Sequence, residues 1–280
     1  MTQCWQWFGG HKVGTVFEIW AALMRRLTSF LSATAMLALT ALAPLTAAGP
    51  GVAVGPTAPQ SGLVLHYPME ALPQGTVTDD SGSSLDGRVV AESGTVRLVS
   101  SLQGYGRALQ LSGDKHQYVD VPSSPVLDVD RYTLSAWVRY TGIENDRTLG
   151  RWEVLEKAGA YWMNVRTNGR VRVGGFFGGC SGPNVWQYLD STRAIPVAGW
   201  KHVASTYDGT WLRVYIDGRA AGAKRVTGRT CVSGEPLAVG AKNNPTKGLL
   251  EAFWDGRMDD VRIYSRALSL DEIRQVATRP

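Results

Sequence analysis

Cysteine and histidine are scarce in this chain, three and four among its 280 residues. His66, His116 and His202 lie far from one another and from any cysteine, so they offer no ligand pair at zinc spacing. Gly179-Cys-Ser-Gly182 lacks the Gly-x-Ser-x-Gly elbow of a serine hydrolase. The glycine pairs at 174–175 and 178–179 are not followed by Lys-Ser or Lys-Thr, which excludes a phosphate-cradling loop and leaves a bulge or turn. A dominant charge is also lacking. Lys12, Arg25, Arg26 and Glu18 are the only charged residues in 1–53, so the remainder holds 26 of the 29 basic and 23 of the 24 acidic residues. That net of +3, scattered along the chain, gives no footprint for nucleic acid.

A long uninterrupted apolar run is missing too. Phe30–Leu45 is broken by small and hydroxylated residues and by Pro44, short of the ~20 mainly apolar residues that span a bilayer. Met24-Arg25-Arg26 before it, and Thr46-Ala-Ala48 and Gly51-Val-Ala53 after it, supply the basic start and small-residue cleavage sites of a secretory leader. The expectation is an over-extended start over 1–23, a cleaved leader over 24–53, a Pro/Gly linker over 54–60 and one folded domain over 61–280. An uncleaved anchor is the alternative for the leader. A secreted, extracellular protein with no membrane association after cleavage follows. In that setting the two remaining cysteines, Cys180 and Cys231, suggest a disulfide, with two separate buried thiols as the alternative.

What is abundant is alternation. Trp200, His202, Ala204 and Thr206 fall opposite Val203 and Tyr207, and Leu212, Val214 and Ile216 fall opposite Trp211, Arg213 and Tyr215. Asp208-Gly209 joins these two runs and Asp217-Gly218 closes the second, a hairpin signal because glycine supplies the positive φ that tight turns need. About ten such strands succeed one another from Ser61 with no helix between them, so the crossovers of a parallel sheet are missing and an antiparallel sandwich is expected. One short helix is expected at the C-terminus, where Ser269 and Glu272 form a capping box and Ile273 and Val276 an apolar side.

Gly62-Leu-Val-Leu-His-Tyr67, Thr78-Asp-Asp-Ser-Gly82, Gly106–Gly113, Tyr118-Val-Asp-Val-Pro122, Thr133–Val138, the 200–218 hairpin and Trp254–Ser269 occur in one order along 61–278. This ordered set resembles the laminin-G-like jelly-roll family of the concanavalin A-like lectin/glucanase superfamily. The resemblance implies an all-β, antiparallel jelly-roll sandwich of two curved sheets, used in exported proteins for glycan binding, protein binding or spacing. It also implies a structural calcium at the positions of Asp79 and Asp259, against the alternative that Asp79 hydrogen-bonds its own turn. Trp137, Trp200, Trp211 and Trp254 align with framework positions and are expected to pack.

Sugars stack on exposed aromatic faces, and Trp152, Trp186 and Tyr188 lie in stretches, 141–157 and 174–193, that read as loops. They are the candidate binding residues for a glycan; an extracellular protein is the other ligand class. Related glucanases use a Glu-x-Asp-x-x-Glu strand, and no such run occurs here. Glu153 and Glu156, three apart, belong on opposite faces of a regular strand, and Glu251 and Asp255 precede a glycine at the approach to the last strand. No catalytic residue is assigned. The reading is a non-catalytic binding module, with a polysaccharide hydrolase or lyase, or a structural envelope protein, as alternatives.

Overall fold

The Asp-Gly hairpin forms as its alternation dictates. Lys201–Tyr207 and Trp211–Ile216 pair antiparallel, with Val203, Tyr207, Leu212 and Val214 in the core. Asp208 Oδ1 accepts from the amides of Thr210 and Trp211 at 2.9 and 2.7 Å, and Gly209 takes φ +94° to turn the chain. The structure is a computed structural model describing residues 57–143 and 149–278. The expected extension over 1–23, the leader over 24–53 and residues 54–56 of the linker lie outside the described residues.

In chain order the first strands are β1 (Leu63–Tyr67), β2 (Thr76–Val77), β3 (Gly87–Val90), β4 (Arg97–Ser100), β5 (Arg107–Leu111) and β6 (Tyr118–Val121). Longer ones follow: β7 (Tyr132–Tyr140), β8 (Arg151–Lys157), β9 (Tyr161–Arg166), β10 (Arg170–Phe176), β11 (Trp186–Ala194) and β12 (Lys201–Tyr207). The last are β13 (Trp211–Ile216), β14 (Arg219–Arg225), β15 (Leu237–Val239), β16 (Lys242–Asn244), β17 (Leu249–Glu251) and β18 (Gly256–Tyr264).

One sheet has the order β14-β13-β12-β7-β18-β5-β4, with β1 also on β18, and the other the order β11-β10-β9-β8-β15-β6-β3-β2. Both are antiparallel throughout, and β16–β17 form a separate hairpin. Neighbours such as β7 with β18 and β8 with β15 are far apart in sequence, which makes this a jelly-roll sandwich. The core lies between the sheets, where Leu134, Ala136 and Val138 of β7 meet Leu155 of β8 and Tyr161 and Met163 of β9. Helix α1 (Leu270–Ala277) lays Ile273 and Val276 on the outer face beside Ala204, Tyr215 and Tyr264, and its Ser269–Glu272 capping box is formed as expected.

Two expectations need correction. Trp211 is 39% exposed, not packed. It belongs to the outward set of β13, where α1 covers only Tyr215, and Arg213 rides 5.7 Å from its ring instead. The stretches 141–157 and 174–193 are in large part strands β8, β10 and β11 rather than loops. β11 is an edge strand with only Ser191 buried, so it carries no apolar alternation to announce it.

Candidate functional site

The site grows from an irregularity in β8. A regular strand would send Glu153 and Glu156 to opposite faces, but Glu153 pairs with Asn164 and Glu156 with Trp162. Three residues of β8 thus match two of β9, the signature of a β-bulge. Val154 and Leu155 are consecutive and both wholly buried, so one extra residue turns inward. Both glutamates consequently share the outer face, contrary to the expectation from their spacing.

That face is built in cross-strand rows. Glu153, Asn164, Arg172 and Asp190 form one row over β8, β9, β10 and β11; Glu156, Trp162, Gly174 and Tyr188 form the next. Arg151 and Arg166 pair at one end, and Phe176 pairs with Trp186 at the other. The β16–β17 hairpin brings Lys242 and Asn244 to one wall, and the whole encloses a pocket of about 460 Å³. Gly174 is required here. A Cβ would lie 2.4 Å from the Trp162 ring, so only glycine lets the indole lie across β10.

An aromatic platform forms one side. Trp186 is 50% exposed, its ring stacked with that of Trp162 at 6.3 Å and 30°, and Tyr188 stands 5.0 Å from Trp186. The Arg172 guanidinium lies 4.2 Å over the Tyr188 ring and is clamped by both Asp190 oxygens at 2.6 and 2.7 Å. On the floor Asn164 donates to Glu153 at 3.3 Å. Asn164 Oδ1 and Glu156 Oε2 are buried and receive no hydrogen bond from any described residue. Other buried polar atoms of the fold, such as Trp137 Nε1 and Ser135 Oγ, also lack a partner; these two differ in that their residues line the pocket.

Burial dominates the ionisation of the floor. It pushes Glu153 up to about 7, against the opposing pull of Arg151 and Asn164. It raises Glu156 well above the usual carboxylate range, with the charge of Glu153 adding to it and Lys242 opposing. Glu251 faces the same region but is held at about 2, because hydrogen bonds from Lys247 and Asn244 outweigh its own burial. Both floor carboxyls therefore hold protons more tightly folded than unfolded. Their contribution to stability is complete below their unfolded value of 4.5 and is lost as pH rises through their folded values, about 7 for Glu153. Glu156→Gln is expected to raise the Tm above that of the parent at pH 8, with the gap closing as pH falls below the unfolded value of 4.5; a pH-independent gap in thermal melts would contradict it.

Of the candidates named from sequence, Trp186 and Tyr188 stand together on the platform. Trp152 does not join them. It points from β8 into the core, 1% exposed, its Nε1 donating to the Ile143 carbonyl at 2.9 Å and its ring 5.4 Å from Tyr140. Cys180 and Cys231 form a disulfide with Cα atoms 4.8 Å apart, and Cys180 lines the pocket just before Trp186. Trp162, Asn164 and Arg166 were missed, although their alternation with Tyr161, Met163 and Val165 is visible in the sequence.

Asp79 and Asp259 both accept hydrogen bonds within the protein. Asp79 accepts from the His66, Ser81 and Leu85 amides at 2.9, 3.0 and 3.0 Å and from the Ser81 hydroxyl at 2.9 Å. Those four donors use the lone pairs a cation would need. Asp259 accepts from the Ser101 hydroxyl. Among the described residues no three His, Cys, Asp or Glu side chains gather at metal-binding distance, and the contacts of Asp79 match the alternative in which it hydrogen-bonds its own turn. EDTA is accordingly expected to leave the Tm unchanged; a fall reversed by added Ca²⁺ would reinstate a site at Asp79.

The Laminin_G_3 family model, described as the concanavalin A-like lectin/glucanases superfamily, matches residues 112–274. The chain belongs to this superfamily. No curated protein matches it in sequence. Among solved structures it is similar to domain 4 of AbnA, an extracellular arabinanase from Geobacillus stearothermophilus solved with arabinotriose, at 20% identity and TM-score 0.55, covering 78% of this chain and 99% of that one. It is also similar to the binding domain of Paraclostridial Mosquitocidal Protein 1, at 15% identity and TM-score 0.57 over 78% of this chain and 52% of that one. The binding domain of Botulinum Neurotoxin DC, solved with SialylT, shows 15% identity and TM-score 0.55 over 78% and 51%. The chain thus spans about half of each toxin domain. These likenesses establish the shared fold, and the two toxin neighbours are binding domains. No helix among the described residues is long and apolar enough to cross a membrane, and the disulfide is compatible with an extracellular protein.

Proposed function

We propose that this protein is an exported, non-catalytic carbohydrate-binding module whose ligand lies on Trp186 and Trp162. The observation that carries this reading is the combination at one pocket: a half-exposed indole stacked on a second, beside the buried, unpartnered acceptors Glu156 Oε2 and Asn164 Oδ1. A sugar ring presents C–H faces to the aromatic platform and hydroxyl donors to the floor, so its two chemistries match the two surfaces. A concave pocket suits a glycan better than the flat face of a protein partner. The arabinotriose and SialylT complexes of similarly folded domains support the ligand class without assigning the sugar.

A second reading, glycosidic-bond hydrolysis by Glu153 and Glu156, is favoured by the bulge that puts both on one face. Two carboxyls about 5 Å apart serve a retaining glycosidase. Glu153 is only 1% exposed and is engaged by Asn164 and Arg151, so it presents little surface to an anomeric carbon. Glycan-array binding followed by calorimetric titration decides between the readings. Binding without turnover, lost in Trp186→Ala, is the expected result; turnover abolished by Glu156→Gln would establish the enzyme.

A further inference from the structure

Three guanidinium groups converge on one end of the pocket. Arg151 and Arg166 are cross-strand partners on β8 and β9, and Arg172 pairs with Asn164, two residues before Arg166 on the same face. All three line the pocket. Like charges set directly across a sheet repel, and such a pair is normally answered by acids. Arg172 has Asp190 in a bidentate clamp, and Arg151 has Glu153 at 3.4 Å. Arg166 has no hydrogen bond or ion pair with any described residue. Its pKa is lowered by burial first and then by the charges of Arg172 and Arg151, with Asp190 offsetting them only in part.

The surroundings add to the same conclusion. The nearby carboxyls, Glu153 and Glu156, are those whose burial favours the protonated form, so they offset the cluster weakly. The Trp162–Trp186 platform lies along the same face, two and three cross-strand rows from Arg166, so an oligosaccharide of several units can span both. A guanidinium fork matches the paired oxygens of a carboxylate or a sulfate.

We propose that the saccharide held on Trp186 is acidic, and that its carboxylate or sulfate ester is received by Arg166 between Arg151 and Arg172. The proposal rests on the carbohydrate reading above and adds the charge of the ligand. Three sugars test it by calorimetry on the intact protein: trigalacturonic acid, a sulfated carrageenan tetrasaccharide, and neutral xylotetraose.

At least one acidic sugar is expected to bind about tenfold or more tighter than the neutral one, in line with a charged hydrogen bond, and to weaken as salt rises. Which of the two binds identifies the anion as carboxylate or sulfate. Arg166→Gln is expected to erase that preference and flatten the salt dependence while leaving the Tm equal or higher, since it removes a repelling charge. Equal affinity for the three sugars, or acidic binding unchanged in Arg166→Gln, would overturn the proposal. Binding of all three sugars that is lost in Trp186→Ala, with the acidic ones held no tighter than the neutral one, would overturn it while keeping the carbohydrate reading. Absence of binding by all three sugars would remove both. The preference and salt dependence of the unaltered protein are decisive even if the variant folds poorly.

Discussion

Trp152→Ala is expected to destabilise the fold by about 3–5 kcal/mol, the usual loss for a fully buried large aromatic, and to lower the Tm by roughly 10 °C in a domain of this size. Its indole is 1% exposed, fills the core beside Tyr140 and donates to the Ile143 carbonyl, so truncation leaves a cavity and loses that hydrogen bond. Trp186→Ala should do the reverse. Half of that ring already faces solvent, so the loss is confined to its ring contacts, about 1 kcal/mol. Ligand affinity should instead fall by at least about 30-fold, as for an aromatic binding anchor. Denaturant melts and titrations on the two variants check the contrast. If Trp152→Ala melted like the parent and lost the ligand, the assignment of the two tryptophans would be inverted.

The second large effect concerns the disulfide. Cys180 and Cys231 are 51 residues apart, and closing such a loop restricts the unfolded chain by about 4 kcal/mol in the chain-entropy account. Cys180→Ser with Cys231→Ser is expected to lose about that much in guanidinium unfolding. The bridge also anchors the segment between β10 and β11 that delivers Trp186, next to the Phe177–Thr230 bridge and the Cys231 amide bonded to the Phe176 carbonyl at 2.9 Å. Affinity should therefore fall together with stability. An unchanged unfolding midpoint would show that the backbone pairing around Phe177 suffices by itself.

Much of the architecture was legible because it is written in local alternation and turns. The Asp-Gly hairpin, the capped C-terminal helix and the inward set of β7 need no distant information. Strands such as β2, β16 and β17 were not legible, because two or three residues carry no period. β11 escaped for a different reason: at a sheet edge with both faces largely wet, it has no apolar side to pattern. Two of its residues, Trp186 and Tyr188, were nonetheless singled out for their chemistry; Trp186 lines the pocket and Tyr188 packs beside it. Trp152 was drawn from the neighbouring stretch by the same reasoning and lies in the core, since a Trp flanked by charges can still point inward from a strand.

The sequence by itself determined that this chain is a jelly roll and that Trp162, Asn164 and Arg166 share one face of β9, for a period of two assigns faces without any knowledge of neighbours. Only the tertiary structure decided that this face is open and lined by Arg151, Arg172 and Trp186. Which strands lie side by side, and whether anything covers them, depends on residues far apart in the chain. It also decided that Glu153 and Glu156 meet on that face. Val154 and Leu155 both gain by entering the core, and the bulge that admits them shifts every later side chain of β8 by one position.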